Sequence, residues 1–181
     1  MHKNCGFKGE VAHGKFIENY SFPTWIVSLT VGLLFAGVAS AAIIEEAVTY
    51  KAGDTVLKGF VVYDDASEAQ RAGILVVPTW WGINKHMHDE ARLYASEGYT
   101  AFIADMIGEG QSLDNPKEAG AALMQMRKNP SVMLSRFNAA KDALSQQKTV
   151  DASRIGAAGY SGGGAFALDA ARSGSDLKGV V

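Results

Sequence analysis

From residue 43 onward, short apolar runs alternate along the chain with stretches of helical periodicity. "VLKGFVVYDD", 56–65, reads as a strand, and "AVTYKAGD" before it as its partner through a Gly53-Asp54 turn. "GILVVP", 73–78, is an unbroken apolar run stopped by proline, the pattern of a strand buried on both faces. In "INKHMHDEARLYASEG", Met87, Ala91, Tyr94 and Ala95 fall at helical spacing, with Asn84 as N-cap and Gly98 as stop. "YTAFIAD", 99–105, is the next buried strand, and the polar "MIGEGQSLDNP" follows as a loop. Pro116 suits a first helical turn and predicts a helix over about 116–128. Asn129-Pro130 interrupts it, and a second helix is expected over about 132–146. "RIGAAG" is then a strand, "GGAFALDAARSG" a helix, and "LKGVV" the opening of another strand.

Buried runs that alternate with helices imply parallel strands joined by right-handed crossovers. The fold class expected is α/β, a mostly parallel sheet with helices on both faces. A strand opening at Gly179 has no covering helix after it, so residues 43–181 are expected to be the front portion of a larger domain, truncated before its last strands.

Length and composition narrow the picture without changing it. The 181 residues suffice for one ordinary domain, and 48% hydrophobic with 20% charged residues is the balance of a folded protein. A net charge of −2 lacks the basic excess of a nucleic-acid surface, so no nucleic-acid partner is expected. Cys5 is the single cysteine, which excludes a disulfide framework and a cysteine metal cluster. The first segment does add something. "WIVSLTVGLLFAGVASAA", 25–42, carries no charge, follows Lys3, Lys8 and Lys15, and ends in the small-x-small pattern Ala39-Ser40-Ala41. Residues 1–42 therefore read as a signal peptide, with a retained membrane anchor through 25–42 as the alternative. Either way the remainder is expected outside the cytoplasm, periplasmic or secreted.

The chemistry concentrates in Gly159-Tyr160-Ser161-Gly162-Gly163, a G-x-S-x-G placed between a strand and a helix. That is the context of a nucleophile elbow. The serine backbone is strained there, and side chains at 159 and 163 would collide with the neighbouring strand and helix. The turn lifts the hydroxyl to a helix N-terminus, where N–H groups and the dipole favour negative charge. Gly162 N–H is then the first donor to an oxyanion. "VVPTWWGIN", 76–84, also leaves a buried strand for a helix, where the second donor belongs, and Trp80 N–H fits. Two adjacent tryptophans cannot both point inward, and core packing is the plainer role for either. Gly162-x-Gly164-x-x-Ala167 also has the form of a dinucleotide-binding turn. Against it, Tyr160 and Ser161 lengthen the connection, and Asp176 comes too early for the acidic partner.

Together these segments resemble the dienelactone hydrolase family of α/β-hydrolases, from about Ala47 to the end of the chain. The likeness rests on "VLKGFVVYDD", "GILVVPTWWGINKHMHDEARLYASEGYTAFIADM" and "VDASRIGAAGYSGGGAFALDAA" in that order. It implies hydrolysis of small-molecule carboxylic esters or lactones, without metal or cofactor, through a triad ordered nucleophile, Asp, His. Ser161 stands where many members carry cysteine, and a serine depends more heavily on its base. Pro78-Thr79 stands where many carry His-Glu or Gln-Glu, and "DMIGEG" lacks the tyrosine often found after the aspartate. No histidine follows Ser161; His2 and His13 precede the apolar run, and His86 and His88 lie two apart on a helix, facing different ways as exposed residues. Asp105 ends a strand, and Asp151 belongs to the turn before the elbow strand. The triad Asp and His are therefore expected beyond residue 181, and the 181 residues are expected to be inactive alone. The competing classes are a non-catalytic ligand-binding relative that keeps the cleft, and a nucleotide-dependent oxidoreductase.

Overall fold

Two residues, Gly53 and Asp54, reverse the chain between β1 (Ile43–Ala52) and β2 (Thr55–Asp64). Gly53 takes φ +60°, a conformation open to glycine, and so tight a turn forces antiparallel pairing, Ala52 opposite Thr55. The chain continues through β3 (Arg71–Val77), α1 (Lys85–Ser96), β4 (Thr100–Ile103), α2 (Pro116–Lys128), α3 (Pro130–Ser145), β5 (Val150–Gly159) and α4 (Gly162–Arg172). The computed structural model describes residues 42–181. The expected leader over 1–42 therefore lies, but for Ala42, outside the described residues. Among the described residues no helix is long and apolar enough to cross a membrane.

The five strands form one sheet in the order β1-β2-β4-β3-β5. β3 pairs in parallel with both β4 and β5, while β2 joins β4 antiparallel. The fold is α/β, with a parallel half and an antiparallel hairpin at one edge. "LKGVV" pairs as expected: Val180 bridges Ala157 in parallel, and Ala157 N–H donates to Gly179 O at 3.0 Å.

Alternation along the strands divides the core in two. Val62, Val76, Ala101 and Ile103 face Met87, Ala91 and Ala95 of α1. Val61, Leu75, Val77 and Phe102 face the other way, onto Phe137, Ala140 and Leu144 of α3 and Phe166, Ala167 and Ala170 of α4. Alanines at the contact positions let the helices lie close to the sheet. Asn84 caps α1, its side-chain oxygen accepting from Met87 N–H at 3.2 Å, and Gly98 at φ +86° ends it. Two boundaries differ from the sequence reading. α3 starts at Pro130, because proline fits a first turn. β5 starts at Val150, ahead of Arg154, and takes Asp151 into the strand, because Arg71 and Ala72 pair with Val150 and Asp151 before a register shift.

Beyond β4 the chain enters a loop ordered by one buried carboxylate. Asp105 is 1% exposed. Its Oδ1 accepts from the N–H groups of Ile107 at 3.0 Å and Gly108 at 2.7 Å. Its Oδ2 accepts from Lys58 N–H at 3.0 Å and Gly110 N–H at 2.8 Å. The Arg136 guanidinium from α3 donates to the carbonyls of Met106 at 2.8 Å and Ile107 at 2.6 Å. Tyr50 closes the cluster by accepting Asp105 N–H at 2.9 Å, and burial pushes its phenol well above the ordinary range. Asp105 thus anchors a loop. Asp105→Asn replaces an acceptor oxygen by an amide NH₂ facing backbone donors, and is expected to destabilise the fold by about 2–4 kcal/mol. A drop in the urea midpoint at unchanged slope measures it, and a loss below about 1 kcal/mol contradicts the role.

Candidate active site

Ser161 lies between the end of β5 and the first turn of α4, at φ 53° and ψ −115°. Glu109 is the other non-glycine residue of positive φ among the described residues. The Ser161 pair of angles lies outside the left-handed helical region, and such strain costs about 1–3 kcal/mol. Backbone bonds hold it on both sides: Tyr160 N–H donates to Val77 O at 3.0 Å, Gly163 N–H to Tyr160 O at 2.9 Å, and Gly164 N–H to Ser161 O at 3.1 Å. Ser161 itself is exposed, and its hydroxyl does not cap α4.

The neighbouring glycines differ in what they permit. A Cβ on Gly163 would stand 2.3 Å from Pro78 O and 2.4 Å from Val77 O. A Cβ on Gly159 would stand 2.5 Å from Gly164 Cα. Both obstacles are backbone. At Gly162 the nearest atom is Leu123 Cδ1 at 2.9 Å, the tip of a side chain from α2. That leucine fills the space beside Gly162 in which a pyrophosphate would have to sit, which disfavours the dinucleotide turn.

The tryptophan loop leaves β3 on the adjoining side. Trp81 N–H donates to Thr79 Oγ1 at 3.3 Å, and Gly82 N–H to Thr79 O at 3.1 Å. Among the described residues, no protein acceptor takes the N–H of Trp80 or of Gly162. The two indole rings tilt against each other with centroids 4.8 Å apart, and both are half-buried. Trp80 and Gly163 line one recess together with Thr79, Ile107, Leu123 and Phe166. Its water-accessible volume is about 20 Å³, room for one molecule.

The two helix histidines part company, as residues two apart on a helix must. His86 is exposed, and its ring meets Tyr160 edge-on with centroids 5.8 Å apart. His88 departs from the sequence reading: it is half-buried, with its ring 4.8 Å from that of Phe60 and its Nδ1 against the Glu45 carboxylate. The pull inward comes from β1, whose Glu45 also pairs with Arg92. Among the described residues, no three His, Cys, Asp or Glu side chains gather as metal ligands.

Sequence reasoning missed the side chains packed around the elbow: Leu123 above Gly162, Thr79 closing the tryptophan loop, and Glu90 and Tyr94 against Tyr160. Only the last two left a trace, since positions four apart share a helix face.

The family model described as the dienelactone hydrolase family matches residues 57–181. Among solved structures, one called m3DLH is 31% identical at a TM-score of 0.75, with 77% of this chain and 58% of that chain covered. A dienelactone hydrolase-like promiscuous phosphotriesterase from metagenomic libraries is 32% identical at 0.74, with the same coverages of 77% and 58%. A cold-adapted esterase from an Arctic intertidal metagenomic library shares the fold at 14% identity and a TM-score of 0.63, covering 78% of this chain and 62% of that one. The chain thus spans 58% of the length of the first two. No curated protein matches it.

The glycine geometry separates two substitutions. Gly163→Ala meets immovable backbone and is expected to destabilise the protein by more than about 3 kcal/mol, whereas Gly162→Ala displaces one leucine tip at a cost of about 1 kcal/mol. Paired thermal melts test this, and equal effects of the two contradict the packing described.

Proposed function

The chain belongs to the dienelactone hydrolase family, and we propose that it is a hydrolase of small carboxylic esters or lactones that uses Ser161 as its nucleophile. The observation that carries this is the exposed hydroxyl of Ser161 on a strained turn at the N-terminus of α4. Energy is stored there that packing alone gives no reason to store. In the proposed reaction, Ser161 Oγ attacks the carbonyl carbon while a base removes its proton. The carbonyl π electrons move to oxygen, and the N–H groups of Gly162 and Trp80 donate to the resulting oxyanion; each such donor supplies about 3 kcal/mol. Collapse expels the alkoxide, which takes the proton back from the base, and leaves an acyl-enzyme that water hydrolyses by the same steps.

The base and its orienting acid belong, in this proposal, to the part of the fold that this chain does not span. Neither helix histidine is suited to the task, since His88 is engaged by Glu45 and His86 by Tyr160 and Glu90. The apolar recess beside the elbow favours an uncharged substrate with a small group on that side. The neighbour that is a promiscuous phosphotriesterase makes organophosphorus esters natural probes. Export is part of the proposal and rests on the uncharged run 25–42.

On the full-length protein, a serine-directed fluorophosphonate is expected to label Ser161, and Ser161→Ala to abolish both labelling and at least about 10³-fold of ester turnover. Mass spectrometry of the adduct and initial rates decide it. An unlabelled wild-type protein that still binds ester analogues is instead the non-catalytic relative. Residues 1–181 alone, lacking a base for Ser161, are expected to show no Ser161-dependent turnover, which a rate assay on that fragment checks.

A further inference from the structure

His86, Glu90 and Tyr94 stand at successive four-residue steps of α1 and so share one face of it. That face meets the side chain of Tyr160, the residue immediately before Ser161. Tyr160 donates its hydroxyl proton to Glu90 Oε2 at 2.7 Å, and its oxygen lies 3.2 Å from that of Tyr94. A phenol has one proton to give. With that proton directed at the carboxylate, Tyr94 is the donor in the second bond. Burial, and then the bonds to Tyr94 and Glu90, push the Tyr160 phenol well above its ordinary range, so the donor stays protonated. His86 completes the group, with Nδ1 3.7 Å from Glu90 Oε1.

The backbone of Tyr160 is held as firmly as its side chain. Its N–H donates to Val77 O at 3.0 Å, and its carbonyl accepts from Gly163 N–H at 2.9 Å. The peptide leading into Ser161 therefore has little freedom to rotate, and a strained residue keeps its angles only where its surroundings over-determine them. A mere link between α1 and the end of β5 would not need a buried carboxylate bond aimed at the residue next to the strained one.

We infer that Glu90 and Tyr94 are positioning residues for the nucleophile, acting through Tyr160 to pin the peptide before Ser161 and so hold its hydroxyl in the attacking orientation. This rests on the hydrolase reading above. None of the three touches the substrate; they act on the angle of approach, where a misplacement of about 1 Å costs on the order of a hundredfold in rate.

The experiment follows the rate of Ser161 phosphonylation, together with kcat and KM for an ester, in full-length wild type, Tyr160→Phe, Glu90→Ala and Glu90→Gln. Tyr160→Phe and Glu90→Ala are expected to react at least about tenfold more slowly at nearly unchanged KM and melting temperature. Glu90→Gln keeps an oxygen that accepts from Tyr160 and is expected to stay within about threefold of wild type. Should Glu90→Ala fail to fold, Tyr160→Phe decides, because it preserves the ring and removes only the hydroxyl. Wild-type rates in Tyr160→Phe, or a Glu90→Gln as slow as Glu90→Ala, overturn the inference while the hydrolase reading stands. Wild type that is not labelled at all defeats that reading first, and this one with it.

Discussion

No side chain fits between the first turn of α4 and the end of β3, and the site is built on that closeness. A Cβ on Gly163 would stand 2.3 Å from Pro78 O, and Tyr160 N–H bonds Val77 O across the same gap. β3 is flanked by β4 and β5, with Leu75, Val76 and Val77 fully buried. The turn that carries Ser161 therefore rests on the C-terminal end of a strand that packing on both faces holds still. The tryptophan loop departs from the same end, one residue on. Two turns with untaken N–H groups share one anchor, and the strain at Ser161 is borne by backbone contacts that have no softer alternative.

A second anchor works by charge. The loop after β4 turns through Gly108, Glu109 and Gly110, all at positive φ, and would leave several buried N–H and C=O groups without water. Asp105 collects four of the donors and Arg136 two of the acceptors. The two residues come from different elements, as does Lys58, whose N–H is the fourth donor, so the loop is tied at once to β2 and α3. Ile107 of this loop and Leu123 of the helix that follows it line the recess beside Gly163. The floor of the recess is thus set by electrostatics, and its other wall by backbone packing.

Residues close together in sequence declared themselves; those that meet only in space did not. Gly159 to Gly163 carried the turn on their own, because two glycines flanking a serine between a strand and a helix leave few conformations. Asn129-Pro130 marked the break between α2 and α3 for the same local reason. The family resemblance was legible in the order of the segments, and the family model spans 57–181. Asp105 was another matter: an acid at a strand end looks the same whether it serves a histidine or a loop, and its partner Lys58 lies 47 residues away. His88 read as exposed because Glu45, which draws it inward, sits on a strand that the helix pattern does not mention. The bond from Tyr160 to Glu90 spans 70 residues, and four-residue spacing on α1 was its only local sign.

Position 79 shows how a departure from the family pattern can be consistent with the residue at 161. Thr79 uses its hydroxyl and carbonyl to engage the N–H groups of Trp81 and Gly82, which leaves Trp80 N–H as the untaken donor of that turn. A carboxylate in its place would set a negative charge beside a half-buried recess, where Coulomb interactions are several times stronger than in water. For a nucleophile that ionises readily, as a thiol does, such a charge can modulate the resting state. A serine stays neutral until it attacks, and all the charge appears on the tetrahedral oxygen. Beside that oxygen a second negative charge only raises the barrier. Threonine at 79 with serine at 161 is the combination in which every group near the developing oxyanion is neutral or a donor.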